Sequence, residues 1–210
     1  MSAPQDTSRQ RFLECAERMF IEEGYRGTTI RAICAMAGTS LAILNRNWPS
    51  KEELFREMLD RHFAPLHQMQ NAAFERLEAQ PDITIEEVLN VFFKPALEGI
   101  ATNGKAGALV YSRALIDSSS VIKAIVADLI SPTRQRLMAL VSRTLRCEDS
   151  ATLFACMNAI LGAYVYPQAF GGQLARSMSL DLAHVDWTYQ TDALVSVLAN
   201  GLAATIANAS

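Results

Sequence analysis

The chain has 210 residues, half of them hydrophobic and one fifth charged, with a formal net charge of −3. That is enough chain to bury a sizeable core and too apolar for an intrinsically disordered protein. The slight acidic excess excludes a protein that holds nucleic acid by overall charge, leaving only a local cationic patch for that purpose.

The opening MSAPQDTSRQR lacks an apolar core and is not read as a secretion signal. Residues 8–23 place Phe12, Ala16, Met19 and Phe20 on one helix face, and Gly24 stops the helix. Thr28 or Thr29 caps a second helix reaching about Ala37, with Ile30, Ile33 and Ala37 inward, and Gly38 turns the chain. Ser40 caps a very short helix that ends at Trp48 against Pro49. Ser50-Lys51-Glu52-Glu53 reads as a capping box opening a long helix to about Gln80, with Pro65 as a kink or break.

Pro81 and Asp82 mark a boundary, and Thr84-Ile85-Glu86-Glu87 forms a second capping box, opening a helix to about Ala101 that contains Pro95. Asn103-Gly104 is a turn. Helices are expected at about 105–117, 119–146, 149–168 and 186–207, with Pro132 and Pro167 bending or dividing two of them. Residues 171–185 read as a looser connection. The sequence contains no convincing strand pair, repeat or low-complexity segment. The fold class is therefore all-α. An N-terminal three-helix helix-turn-helix domain, residues 1–50, joins a larger C-terminal helical bundle, residues 51–210, that dimerises.

Charge thins out towards the C-terminus. Residues 151–210 contain only Arg176, Asp181, Asp186 and Asp192 as charged groups. A helix apolar on more than one face must be buried on more than one side. Leu153, Met157, Ile160 and Tyr164 form one stripe, and Phe154, Leu161 and Val165 another. In the last helix Trp187, Leu194, Leu198 and Leu202 lie beside Val195, Val197 and Ile206, with the small residues Ala193, Gly201 and Ala204 permitting close approach. One face suits the chain's own core. The other suits a second copy, through Phe154, Leu161, Val165, Leu194, Val197, Leu198 and Gly201. The uncharged stretch 150–170 is long enough for a bilayer. Thr152, Asn158, Gly162, Pro167 and Gln168 interrupt it and no Lys/Arg cluster flanks it, so a doubly buried helix and no membrane partner are expected.

The segment AGTSLAILNRNWPSKEEL joins two short helices through a glycine turn, the layout of a helix-turn-helix. The small Cys34, four residues before Gly38, lets the two helices cross closely. Leu44 and Trp48 share one face and can anchor the second helix, while Leu41, Ala42, Asn45 and Arg46 lie opposite. Residues 1–62 balance nine basic against nine acidic side chains, yet between Gly24 and Lys51 stand Arg26, Arg31, Arg46 and Lys51 with no acid. Such a local patch suffices for phosphate attraction. Lys51 and the free N–H groups of the following helix can hold a phosphate, and Thr28, Thr29 and Asn47 can add neutral contacts. Asn45 can read adenine, Arg31 guanine, and Leu41 and Ala42 thymine methyls in the major groove.

These residues resemble the TetR-type (TetR/AcrR) one-component transcriptional regulators. The resemblance rests on GYRGTT at 24–29, AG at 37–38 and WPSKEEL at 48–54, and covers about residues 10–60. PALEG, SRALIDSS and ILGAY resemble the helical ligand-binding and dimerisation domain of one branch. The resemblance implies base contacts at Arg31, Leu41, Ala42 and Asn45 and phosphate contacts at Thr29, Arg46, Asn47 and Lys51. The chain departs from the family pattern. The family commonly has Lys or Gln at Leu41, Thr at Ile43, aromatics at Asn45 and Arg46, and His at Asn47. Its short helix is thus more apolar at the start and more amide-rich at the end.

A regulator of this kind is expected to be a cytoplasmic homodimer, most simply a repressor that a small molecule releases from a palindromic double-stranded DNA operator. Candidate pocket residues are Phe63, Phe92, Phe93, Tyr111, Phe154, Met157, Tyr164 and Tyr166, with Arg113 and Asn158 as polar groups. Arg113 has two readings: a helical ion pair with Asp117 or a contact to an anionic effector. No Ser/His/Asp or Cys/His set and no phosphate loop is evident, so no enzyme and no cofactor are expected. His62 and His67 do not share a helix face, His184 has no obvious partner, and no metal site is expected. Cys15, Cys34, Cys147 and Cys156 form no C-x-x-C pair and read as buried free thiols. The competing reading is a helical protein-interaction module without operator binding.

Overall fold

The computed structural model describes residues 4–98 and 104–209. Among these residues there are nine α-helices and no strand. They are α1 (Pro4–Gly27), α2 (Ile30–Ala37), α3 (Leu41–Asn47), α4 (Lys51–Glu78), α5 (Ile85–Leu97), α6 (Gly104–Ile116), α7 (Ser120–Leu145), α8 (Ser150–Ser177) and α9 (Trp187–Ala209). The four cysteines are free and buried.

The caps fall where short polar residues precede apolar runs. Ala32 N–H donates to the Thr29 hydroxyl at 3.1 Å and Glu53 N–H to the Ser50 hydroxyl at 3.1 Å. At α5 the box closes both ways: Glu87 N–H donates to Thr84 Oγ1 at 3.2 Å, and Thr84 N–H to the Glu87 carboxylate at 2.7 Å. Gly38 takes φ 65°, the left-handed turn that ends α2. Gly24 breaks α1 internally at φ 72°, ψ −178°, so helical turns resume briefly before Gly27.

The prolines divide no helix. Pro65, Pro95, Pro132 and Pro167 each lie inside a continuous one. The expected loose connection at 171–185 is corrected most. α8 runs on to Ser177, and only a short link with a 3₁₀ turn at Leu182–His184 remains. One missing N–H at Pro167 and two glycines at 171 and 172 lower helix propensity without abolishing it, and Ala175 is buried and secures the extension. The expected turn at Asn103 and the end of a helix near Ala101 lie outside the described residues.

The chain forms two compact units. The first comprises residues 1–64 and 109–129, the second 65–108 and 130–210. The first thus extends beyond residue 50 and takes in the opening half of α4. Its interior is aromatic. Phe12 meets Trp48 edge-on at 5.9 Å, Phe20 meets Phe55 at 5.5 Å, and Phe63 stacks on Tyr111 at 4.3 Å. His62 Nε2 and Glu17 Oε2 lie 2.8 Å apart, joining α4 to α1, and this bond holds the Glu17 carboxyl below its ordinary pKa.

In the second unit, α5 packs on α9 and α8, and α8 on α9. Phe92 stacks on Tyr164 at 4.4 Å, and the buried Gln70 donates to the Phe92 carbonyl at 2.7 Å. Arg143 of α7 donates to the carbonyls of Leu77, Glu78 and Gln80 at 3.0–3.3 Å. A cation there satisfies the orphan acceptors that end α4.

Leu44 is 1% exposed and Leu41, one turn away on the same short helix, 46%. Leu44→Ala is expected to destabilise the first unit by about 2–5 kcal/mol, and Leu41→Ala by no more than about 0.5 kcal/mol. Denaturant titration followed by circular dichroism measures the contrast.

Candidate nucleic-acid interface

The short helix α3 is held from behind and open in front. Ser40 caps it, with Ile43 N–H donating to its hydroxyl at 3.4 Å, and Trp48 N–H closes it on the Leu44 carbonyl at 2.9 Å. Leu44 and Trp48 are buried, as their spacing demanded. The Trp48 indole donates to the Glu57 carboxylate at 2.7 Å, and the Arg9 guanidinium lies over its ring at 5.4 Å while pairing with the same carboxylate. α2 packs on both α1 and α3, with Cys34 buried as expected. Leu41, Ala42, Ile43, Asn45 and Arg46 are left exposed.

The cationic surface is narrower than the sequence predicts. Arg26, Arg31 and Arg46 are exposed. Lys51 is turned inward: its ammonium donates to the Tyr25 carbonyl and sits 3.9 Å above the Tyr25 ring. Burial pushes its pKa down, opposed by the Asp117 carboxylate. Lys51 therefore clamps the α1–α2 turn. Thr28 is corrected likewise. It is fully buried, and its hydroxyl donates to the Gly24 carbonyl at 2.8 Å. Asn47 commits an amide hydrogen to the Ile43 carbonyl at 2.9 Å, stiffening the last turn of α3. Thr29 remains exposed, its oxygen occupied by the cap and its proton free.

Of the two readings of Arg113, the helical ion pair is not what forms. Arg113 and Asp117 make no ion pair within 4.0 Å. Both instead crowd Gly24. A Cβ built there would lie 2.5 Å from an Arg113 guanidinium nitrogen and 3.0 Å from an Asp117 oxygen. Asp117 Oδ2 accepts from Tyr25 N–H at 3.3 Å, and Oδ1 from Ser119 N–H at 2.8 Å. Buried Arg113 Nε has no hydrogen-bond partner. The α1–α2 turn is thus held by Lys51 at Tyr25 and by Arg113 and Asp117 at Gly24 and Tyr25. Sequence reasoning missed this grip because its partners are far apart in the chain.

The pocket candidates separate. Phe63 and Tyr111 belong to the first unit's core, while Phe92, Phe93, Met157 and Tyr164 are buried in the second. Phe154 is 70% exposed and Asn158 and Tyr166 are exposed too, so these three line no interior. No group of three or more potential metal-binding side chains clusters among the described residues. His184 meets Asp181 at 3.0 Å on the surface.

α8 and α9 present an uncovered apolar face. By length and composition α8 could cross a membrane, and only 22% of that window is buried within the chain. The expectation of double burial therefore fails for a single copy. Val197 is 71% exposed, Gly201, Ala193 and Ala204 are exposed, and Leu161, Val165, Leu194 and Leu198 are half-buried. The inward stripe of α9 is Thr191, Val195, Ala199 and Leu202. A groove of about 250 Å³ between the helices is lined by Ala155, Ala159, Val197, Leu198, Gly201 and Thr205, with Cys156 and Leu202 at its floor.

Residues 12–58 match the family described as bacterial regulatory proteins, tetR family, and residues 90–201 match that described as tetracyclin repressor-like, C-terminal domain. Among curated proteins there is no match. Similar solved structures include a TetR-like transcriptional regulator from Rhodococcus sp. RHA1, at 21% identity and TM-score 0.62, covering 96% of this chain and 99% of that one. The fatty acid degradation regulator FadR from Bacillus halodurans has 13% identity and TM-score 0.67, with 96% and 98% covered. FadR from Bacillus subtilis, in complex with stearoyl-CoA, has 12% identity and TM-score 0.65, with 91% and 98% covered. At these identities the likeness is one of fold.

Gly24 lies in a backbone region that is essentially reserved for glycine. Gly24→Ala is expected to cost about 1–3 kcal/mol, read as a lowered midpoint in differential scanning calorimetry. Arg113→Ala in the same background removes the collision but not the dihedral strain, so it restores only part of the loss.

Proposed function

We propose that this chain, which belongs to the tetR family of bacterial regulatory proteins, acts as a homodimer that binds a two-fold symmetric DNA operator and releases it when a small molecule binds. The observation that carries the reading is α3: a helix pinned by Leu44 and Trp48, exposing Asn45 and Arg46, in a segment from Gly24 to Lys51 that contains Arg26 and Arg31 and no acidic residue.

Within this reading, residues 1–50 form the DNA-binding domain and 51–210 the ligand-binding and dimerisation domain. Asn45 and Arg31 contact base edges with Leu41 and Ala42, and Arg46 and Thr29 contact phosphates. Asn47 retains a second amide hydrogen for the backbone. The exposed apolar face of α8 and α9 supports dimerisation, since an uncovered patch of that kind on a soluble regulator is stabilised by a second copy. Two copies would set their α3 helices into successive major grooves, about 34–36 Å apart. An effector acts by binding unequally to the operator-competent and operator-incompetent arrangements. That FadR from Bacillus subtilis was solved with stearoyl-CoA supports a small-molecule occupant for this fold. Repression by the free protein follows as the simplest logic, in a cytoplasmic setting.

Genome-wide recovery of bound DNA fragments tests the reading. A shared palindromic sequence is expected, whereas a chain that recovers no common sequence is an interaction module of another kind. Asn45→Ala is expected to weaken operator binding by about 1–3 kcal/mol, and Arg46→Ala to lower the slope of log affinity against log salt by about 1. Gel shift at several salt concentrations measures both. Val197→Glu is expected to convert the dimer to monomer in light scattering while leaving helical content unchanged.

A further inference from the structure

We propose that the first turn of α3 selects thymine through its C5 methyl group, so that the operator half-site is chosen by apolar contact as much as by hydrogen bonding. This rests on the operator-binding reading above and adds the chemistry by which the sequence is read.

Leu41 is 46% exposed and Ile43 37%, and Ala42 between them is exposed as well. Three successive outward side chains of the first turn therefore carry neither donor nor acceptor. The polar groups nearby are already engaged. The Ser40 oxygen accepts the Ile43 N–H, and Asn47 spends an amide hydrogen on the Ile43 carbonyl. Lys51 and Thr28 point inward. Hydrogen-bond reading of bases by α3 itself falls to Asn45, towards its C-terminal end.

In the major groove the thymine methyl is the only alkyl group that projects from a base edge. An aliphatic side chain pressed against any other edge covers an amino group or a carbonyl oxygen without pairing it, which is unfavourable. The same contact with a methyl removes apolar surface from water on both partners. The first turn thus discriminates in two ways: it gains with thymine and loses with guanine, adenine or cytosine.

Uracil isolates this effect, because it keeps every hydrogen-bonding group of thymine and lacks only the methyl. The full-length chain is used to select duplexes from a random pool. The selected duplex is then resynthesised with uracil at one thymine at a time, and affinities are read by gel shift. At contacted positions each replacement is expected to weaken binding by about fourfold, the worth of one buried methyl. In Leu41→Ala or Ile43→Ala that loss is expected to shrink towards none at one position, with the dimer retained.

A selected duplex indifferent to every thymine-to-uracil change overturns the proposal and leaves operator binding standing. So does an undiminished loss in both variants. Failure to select any duplex overturns the regulator reading and this proposal with it.

Discussion

A seven-residue helix has no stability of its own in water. Isolated helices shorter than about 12 residues are marginal even when their sequences favour helix. α3 exists because Leu44 and Trp48 are buried against the first unit's aromatic interior and because Ser40 and the Trp48 backbone satisfy its ends. Everything attributed to its outward face depends on that anchoring. The hydrogen bond from the Trp48 indole to Glu57 sets the indole's orientation, and Arg9 supplies the counter-charge. The reading surface is therefore rigid before any partner arrives, and less ordering entropy opposes its docking.

The same economy governs charge. A net charge of −3 keeps the chain from holding DNA indiscriminately. Three exposed arginines in a segment without acidic residues supply local positive charge, while the fourth cation, Lys51, holds the α1–α2 turn. That turn is over-determined. It contains a glycine in a restricted dihedral region, a buried threonine hydroxyl bonded to that glycine's carbonyl, and side chains from α4 and α6 packed against it. Conformational strain persists where surrounding structure fixes it, and here it fixes the angle at which α2 leaves α1.

What was legible in the sequence divides along physical lines. Periodicity placed Phe12, Phe20, Leu44 and Trp48 inward, and local cap chemistry placed Ser40 and Thr84, because both signals act within one or two turns. Position in space was not legible. Thr28 and Thr29 look equivalent as letters, yet one is sealed inside and the other caps α2. Lys51 read as a free cation because its acceptor, the Tyr25 carbonyl, lies 26 residues earlier. Arg113 was matched to its neighbour Asp117, whereas both serve Gly24 on another helix. In α8 the proline and paired glycines resembled a loop, and tertiary packing at Ala175 carried the helix through them. Which residues of α9 turn inward was not legible, because a helix apolar all round gives periodicity nothing to report.

The two tryptophans fall one to each compact unit. Trp48 is sealed beside Phe12, with a carboxylate on its indole nitrogen; Trp187, at the head of α9, is half open to solvent. Their emission maxima therefore differ, the buried ring towards the blue and the wetter one towards the red. The molecule carries a built-in optical label for each compact unit, and one spectrum reports separately on the two.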